Sequence, residues 1–169
     1  MKILQVVGYK NSGKTTIVEK LIKEAVYQGY KVGAVKHHGH GGYPDLSDLP
    51  NDSNRHRQAG AIVSSVEGNG LLQLQAIQDE WSLQQILQIY SLFPIDVVLV
   101  EGFKKEKYPK IVMLRTSDDL PLLTVLENII AVITWTTLPE PLRIDCPIFS
   151  IKNEKQYLQW IMDYVRDDL

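Results

Sequence analysis

The segment Gly8-Tyr9-Lys10-Asn11-Ser12-Gly13-Lys14-Thr15, followed by Thr16, constrains this chain more than any other. It satisfies the pattern G-x-x-x-x-G-K-[ST], in which a glycine loop between a strand and a helix cradles phosphate groups. The flanks supply that context. Ile3-Leu4-Gln5-Val6-Val7 is short, apolar and β-branched, as a buried parallel strand should be. From Thr15 to Tyr27, Ile17, Val18, Leu21, Ile22, Ala25 and Val26 recur at helical spacing. Gly29 stands where a left-handed residue would end that helix.

The chemistry follows from the geometry that such a loop adopts. Gly8 and Gly13 permit backbone angles and close approaches that a side chain would block. Successive N–H groups then turn toward one anion, helped by the positive end of the helix dipole. Lys10, Asn11, Ser12, Gly13, Lys14, Thr15 and Thr16 are therefore the expected nucleotide-binding residues. In that arrangement Lys14 reaches the β- and γ-phosphates and the Thr15 hydroxyl holds Mg²⁺.

Strands alternate with helices along the rest of the chain. Expected strands are Lys31 to Lys36, Ala61 to Val66, Leu71 to Ile77, Ile95 to Val100, Ile111 to Leu114, Ile129 to Thr134 and Ile148 to Ile151. The pair around Gly68-Asn69-Gly70 reads as a hairpin. Ser53 is placed to cap a short helix from Asn54 to Ala59 that ends at Gly60. Ser82 caps a helix to about Phe93, stopped by Pro94, and Asn153 caps a terminal helix. This is the pattern of an α/β fold of the phosphate-loop NTPase kind, a mostly parallel sheet with helices on both faces. A length of 169 residues suits one such domain. In these sheets ligands bind at the carboxyl ends of the strands.

Composition excludes several other classes. A net charge of −2 gives no global pull toward nucleic acid or an anionic membrane. One cysteine, Cys146, leaves no internal disulfide framework and suits a reducing compartment. The N-terminus reads straight into a strand, without a secretory leader, and no apolar run is long enough to span a bilayer. The expectation is a cytoplasmic protein.

Topology draws several distant residues toward the loop. Glu101 follows Val97-Val98-Leu99-Val100 and precedes Gly102, at the carboxyl end of a buried strand. An acid there holds Mg²⁺ directly or through water. Glu in place of the usual Asp lengthens the arm, and Lys14 and Glu101 are the candidate catalytic pair. His37, His38 and His40 open a loop that runs to Ser53. They suit contact with phosphate or a polar substrate, solvation, or ligation of Zn²⁺ or Ni²⁺. Asp45, Asp48 and Asp52 in the same loop are candidates for Mg²⁺ or water positioning. Arg55, His56 and Arg57 form a basic group suited to a ligand or to a partner. Lys104, Lys105, Lys107 and Lys110 form a basic loop with the same two uses, solvation being the bland alternative. Trp81, Trp135 and Trp160 read as core or interface residues, and Cys146 as a small buried one.

Four segments, in this order, resemble the MobB family, the adaptors of molybdopterin-guanine dinucleotide biosynthesis. They are the phosphate loop through Thr16, Val35-Lys36-His37-His38, the run Asp52-Ser53-Asn54-Arg55-His56-Arg57-Gln58-Ala59-Gly60-Ala61, and Leu99-Val100-Glu101-Gly102-Phe103-Lys104. The resemblance covers about the first two thirds of the chain. It departs at Gly39 to Asn51, where the family tends to have a shorter, acidic stretch with Gly-Lys before the Asp-Ser pair. The resemblance implies a homodimer that binds GTP with Mg²⁺ and hydrolyses it weakly. It also implies a partner, the MobA-like guanylyltransferase that joins GMP to molybdopterin, with molybdopterin itself as the shared ligand. His37, His38, Arg55, His56, Arg57 and Lys104 would be its substrate or partner contacts, and Arg55 or Arg57 could serve as an arginine finger. The Asn-Lys-x-Asp guanine signature is absent, so GTP preference rests on the resemblance. Two alternatives are a metallochaperone GTPase using His37, His38 and His40, and a small-molecule kinase of the phosphate-loop class. The first lacks the guanine signature, and the second lacks a lid with several arginines.

Overall fold

The computed structural model describes residues 1–39, 51–139 and 144–167. The protein forms two compact units, Met1–Gly39 with Leu87–Leu169, and a second that is described from residue 51 to Ile86.

Among the described residues, the first unit holds a six-stranded sheet. Its strands are β1 (Lys2–Gly8), β2 (Val32–Lys36), β5 (Val97–Glu101), β6 (Lys110–Leu114), β7 (Ile129–Thr134) and β8 (Ile148–Ser150). They lie in the order β2-β5-β1-β6-β7-β8, and every pair is parallel. The α/β class expected from the alternating pattern is the class observed. Parallel strands need crossover connections, and those crossovers cover both faces.

Alternation along β1 divides the core. Leu4 and Val6 face α1 (Lys14–Tyr27) and α5 (Glu154–Arg166), where Ile17, Leu21, Ala25, Tyr157, Ile161 and Val165 meet them. Val7 faces the other way, into a smaller cluster with Val112, Val132 and Leu122 of α4 (Leu122–Val125). On that second face Gly33 makes room for Tyr90, the last residue of α3 (Leu83–Tyr90). A Cβ at Gly33 would lie 3.0 Å from the Tyr90 ring, whose hydroxyl donates to the Ala34 carbonyl at 2.7 Å. Each fully buried aliphatic side chain in these clusters contributes about 1.5–3 kcal/mol, so the sheet is a stable frame for what projects from its ends.

The second unit holds α2 (Asn51–Gln58) and an antiparallel hairpin of β3 (Val63–Gly68) and β4 (Leu71–Ala76). The turn is Asn69-Gly70, both with positive φ, as the Gly-Asn-Gly sequence predicts.

Several local expectations are corrected. Helix α2 begins at Asn51, so Ser53 lies inside it rather than at its cap. Its polar first turn has no apolar rhythm to mark a start. Strand β3 begins at Val63 rather than Ala61, because the Ala61 N–H closes the helix on the His56 carbonyl at 3.2 Å. Asn153 occupies the N-cap position of α5 without a capping bond, its amide donating instead to Gln156 at 3.4 Å. A 3₁₀ turn at Ser117–Asp119 and the four-residue α4 are too short to leave a periodic signal. Gly29 behaves as expected: with φ +91° it lets Tyr30 and itself donate to Ala25 and Val26, both at 3.0 Å, the Schellman closure.

Candidate functional site

The carboxyl ends of β1, β5 and β2 bring together what the sequence keeps 86 residues apart. The turn after β1 contains two left-handed residues, Asn11 at φ 61° and Gly13 at φ 94°. Gly13 is also the N-cap of α1, and no side chain caps that end. The first amides of the helix are thus left for an external acceptor. Gly8 serves differently. A Cβ there would lie 2.6 Å from Ser12 Oγ and 2.8 Å from the Met113 carbonyl oxygen, so close packing rather than backbone angle demands glycine. The Ser12 hydroxyl lies over Gly8, buried and without a hydrogen bond.

Lys14 arches back over the loop, and its Nζ donates to the Tyr9 carbonyl at 2.6 Å. Burial pushes its pKa down, the Glu101 carboxylate opposes that shift, and the Lys104 and Lys36 ammonium groups add to it. The Lys104 ammonium sits 4.3 Å over the Tyr9 ring. Lys104 therefore borders the phosphate loop, as its place after Glu101-Gly102-Phe103 suggests. Lys10 is exposed on the loop, and Thr16 is exposed on the first turn of α1.

Beside the loop lies a charged triad. Thr15 Oγ1 is 2.9 Å from Glu101 Oε1 and 3.0 Å from Oε2. The Lys36 ammonium donates to Thr15 Oγ1 at 3.1 Å and lies 3.4 Å from Glu101 Oε1. The order is fixed by chemistry: the ammonium can only donate, the carboxylate only accept, and the hydroxyl does both. The longer arm of Glu101 reaches the hydroxyl from the end of β5. A hydroxyl and a carboxylate in contact are the hard oxygen donors that Mg²⁺ prefers. The Lys36 ammonium stands in for such a cation, so the residues present fit the ion. Among the described residues no group of three or more His, Cys, Asp or Glu side chains is arranged to hold a metal.

The strand ends also place His37. Its N–H donates to the Glu101 carbonyl at 2.9 Å, and its ring lies 4.6 Å from that of Phe103. Gly102, at φ 96°, passes so close that a Cβ would meet His37 Cβ at 3.0 Å. His38 is exposed. His40, Asp45 and Asp48 lie outside the described residues, as does the side chain of Asp52. Arg55, His56 and Arg57 belong to the second unit, where Arg57 Nη1 donates to Gln75 Oε1 of β4 at 2.9 Å.

Sequence reasoning missed four residues around the loop: Tyr9, Lys36, Arg115 and Trp135. For Trp135 the core half of the expectation is corrected. The residue is half exposed, and its indole N–H donates to the Ser12 carbonyl at 2.9 Å. Arg115 Nη1 donates to the Asn11 carbonyl. The available signal was positional: Lys36, Arg115 and Trp135 each stand at or just past the carboxyl end of a parallel strand.

The family model described as "Molybdopterin guanine dinucleotide synthesis protein B" matches residues 3–135. A probable molybdopterin-guanine dinucleotide biosynthesis adapter protein of Bacillus subtilis is 47% identical over 131 residues, 78% of this chain and 75% of that one. The adapter protein of Haemophilus influenzae is 32% identical over 165 residues, covering 96% and 89% of the two chains. The crystal structure of a MobB homologue from Bacillus stearothermophilus superposes with a TM-score of 0.82 at 41% identity, over 99% of both chains. A family match across the phosphate loop and the β5 acid, with relatives alike over most of their length, leads to one conclusion: this chain belongs to the MobB family.

Proposed function

We propose that this protein is a nucleotide-binding adaptor of molybdopterin-guanine dinucleotide biosynthesis that binds GTP with Mg²⁺ and hydrolyses it slowly. The observation that carries the reading is the contact between Thr15 and Glu101 at 2.9 Å, beside a helix end that no side chain caps. An anion entering the loop meets the amides of the first helical turn. Lys14 exchanges the Tyr9 carbonyl for phosphate oxygens, a better partner for an ammonium than a neutral carbonyl. Thr15 and Glu101 would hold Mg²⁺, which when bound neutralises charge on the terminal phosphates. Glu101 is already engaged by Thr15 and Lys36, which fits an acid that organises a site better than one that takes a proton from water. Slow turnover follows from that.

The adaptor role rests on family membership, and so does the partner, a MobA-like guanylyltransferase acting on molybdopterin. A cytoplasmic location fits a biosynthetic role, and no helix among the described residues is long and apolar enough to cross a membrane. Self-association into a homodimer is supported by the β3–β4 hairpin. Val63, Leu71, Leu72 and Leu74 are about half or more exposed on a two-stranded sheet, an arrangement that is marginal until something covers it. A second copy is the partner always present at equal concentration.

The test is calorimetric titration with GTP and ATP, with and without Mg²⁺, on the unmodified protein and on Lys14→Ala. GTP should bind, more tightly with Mg²⁺, and the variant should lose at least tenfold in affinity, since charged hydrogen bonds are worth about 1.5–3 kcal/mol. Unchanged affinity in the variant, or binding of ATP alone, would sink the assignment.

A further inference from the structure

We propose that Trp135 and Arg115 are positioning residues for the triphosphate, bracing the phosphate loop from behind so that its amides face the anion. The inference rests on the loop being a phosphate nest, the reading proposed above.

The argument starts from the planar trans peptide, in which the C=O and the following N–H point in opposite directions. Whatever holds a carbonyl outward turns the next amide inward. Two consecutive carbonyls of this loop are held. That of Asn11 accepts from the Arg115 guanidinium, and that of Ser12 from the Trp135 indole at 2.9 Å. The amides facing the other way are those of Gly13 and of Ser12, the latter donating at 3.3 Å to the Tyr9 carbonyl, the same oxygen that takes the Lys14 ammonium until phosphate displaces it. Asn11 and Gly13 are the two left-handed residues of the loop. Asn and Gly reach that region at low cost, so the sequence permits the shape and the two held carbonyls fix it.

The brace is itself rigid. The Trp135 N–H donates to the Leu114 carbonyl at 3.0 Å, extending the β6–β7 ladder. The carboxylate of Asp119, nearly buried, accepts from the N–H of Arg115 at 2.6 Å and of Thr116 at 3.2 Å. The two braces also support one another, the guanidinium lying 5.5 Å from the centre of the indole. The Trp135 ring edge lies against Gly13: a Cβ there would meet it at 3.2 Å. A half-exposed tryptophan that spends its one polar group on a loop 123 residues away is accounted for by this role. Neither side chain needs to touch the ligand.

The test uses the full chain and two ligands, GTP and inorganic tripolyphosphate, both without Mg²⁺. Tripolyphosphate has no base or ribose, so it reads the nest alone. Trp135→Phe keeps the ring over Gly13 and removes the N–H, and Arg115→Met removes the guanidinium. Each should weaken both ligands by about threefold to tenfold, the share of one hydrogen bond, at a temperature where circular dichroism shows the variants folded. Arg115→Lys, which keeps a donor, should recover much of the loss, which a merely structural role would not require. Unchanged tripolyphosphate affinity in both Trp135→Phe and Arg115→Met overturns the inference. So does a loss confined to GTP, which would make the pair a nucleoside contact. If the unmodified protein binds neither ligand, the nest reading fails first and this inference falls with it.

Discussion

Replacing Gly8 with alanine separates the two reasons for which the loop needs glycine. The φ of Gly8 is not left-handed, so alanine meets no backbone penalty there. The obstacle is contact. The new methyl would lie 2.6 Å from Ser12 Oγ, 2.8 Å from the Met113 carbonyl oxygen and 3.0 Å from Met113 Cβ. The Ser12 hydroxyl makes no hydrogen bond and can rotate away. The Met113 carbonyl belongs to β6, paired on both sides by β1 and β7, and cannot. Strand β1 must then shift at the root of the loop. Overpacking of this kind costs about 1–3 kcal/mol. The stiffer unfolded chain of an alanine variant returns about 0.4–1 kcal/mol. Taking the middle of each range, the net loss is about 1.3 kcal/mol, a fall in melting midpoint of about 3–5 °C for a chain of this size. Urea unfolding followed by tryptophan fluorescence and circular dichroism measures it, with an unchanged m-value as the control. Gly29 provides the contrast, with φ +91° and no atom within 4 Å of an added Cβ. Its cost is conformational, so asparagine, which visits the left-handed region, should rescue position 29 and worsen position 8. A Gly8→Ala protein as stable as the parent would refute the close-packing argument.

Thr15→Val conserves shape and removes the hydroxyl between Lys36 and Glu101. It should cost about 1 kcal/mol of stability and abolish the gain in GTP affinity that Mg²⁺ brings, as titrations with and without the ion will show. Lys110 is fully buried, donating to the Glu106 and Tyr108 carbonyls, and burial holds its pKa below the ordinary 10.5. The unfolded chain therefore binds more protons between that lowered value and 10.5, so stability rises with pH across this window. Lys110→Met should make the rise shallower in urea melts taken from pH 8 to 10.5, and an unaltered slope would contradict it. Leu72→Lys combined with Leu74→Lys charges one side of β4, since residues two apart share a face. Light scattering should then report a monomer, and an intact dimer would remove the hairpin from the interface.

The phosphate loop was legible because every part of it is local. Gly8 through Thr16, the strand before and the helix after are contiguous, and their residue types determine strand, turn and helix almost without help from the rest of the chain. Glu101 could be placed for a similar reason: four apolar residues mark a buried strand, and an acid at its end must emerge where ligands bind. What the sequence could not supply was strand order. Only the order β2-β5-β1-β6-β7-β8 sets Glu101 and Lys36 on one flank of the loop, and Arg115 and Trp135 on the other. Strand order is decided by which faces and edges pack best over the whole sheet, a sum over contacts far apart in the chain. So the glycine turn was written in nine consecutive residues, while the contacts of Glu101 and Lys36 on one side of it and of Arg115 and Trp135 on the other exist only because the sheet closed in that order.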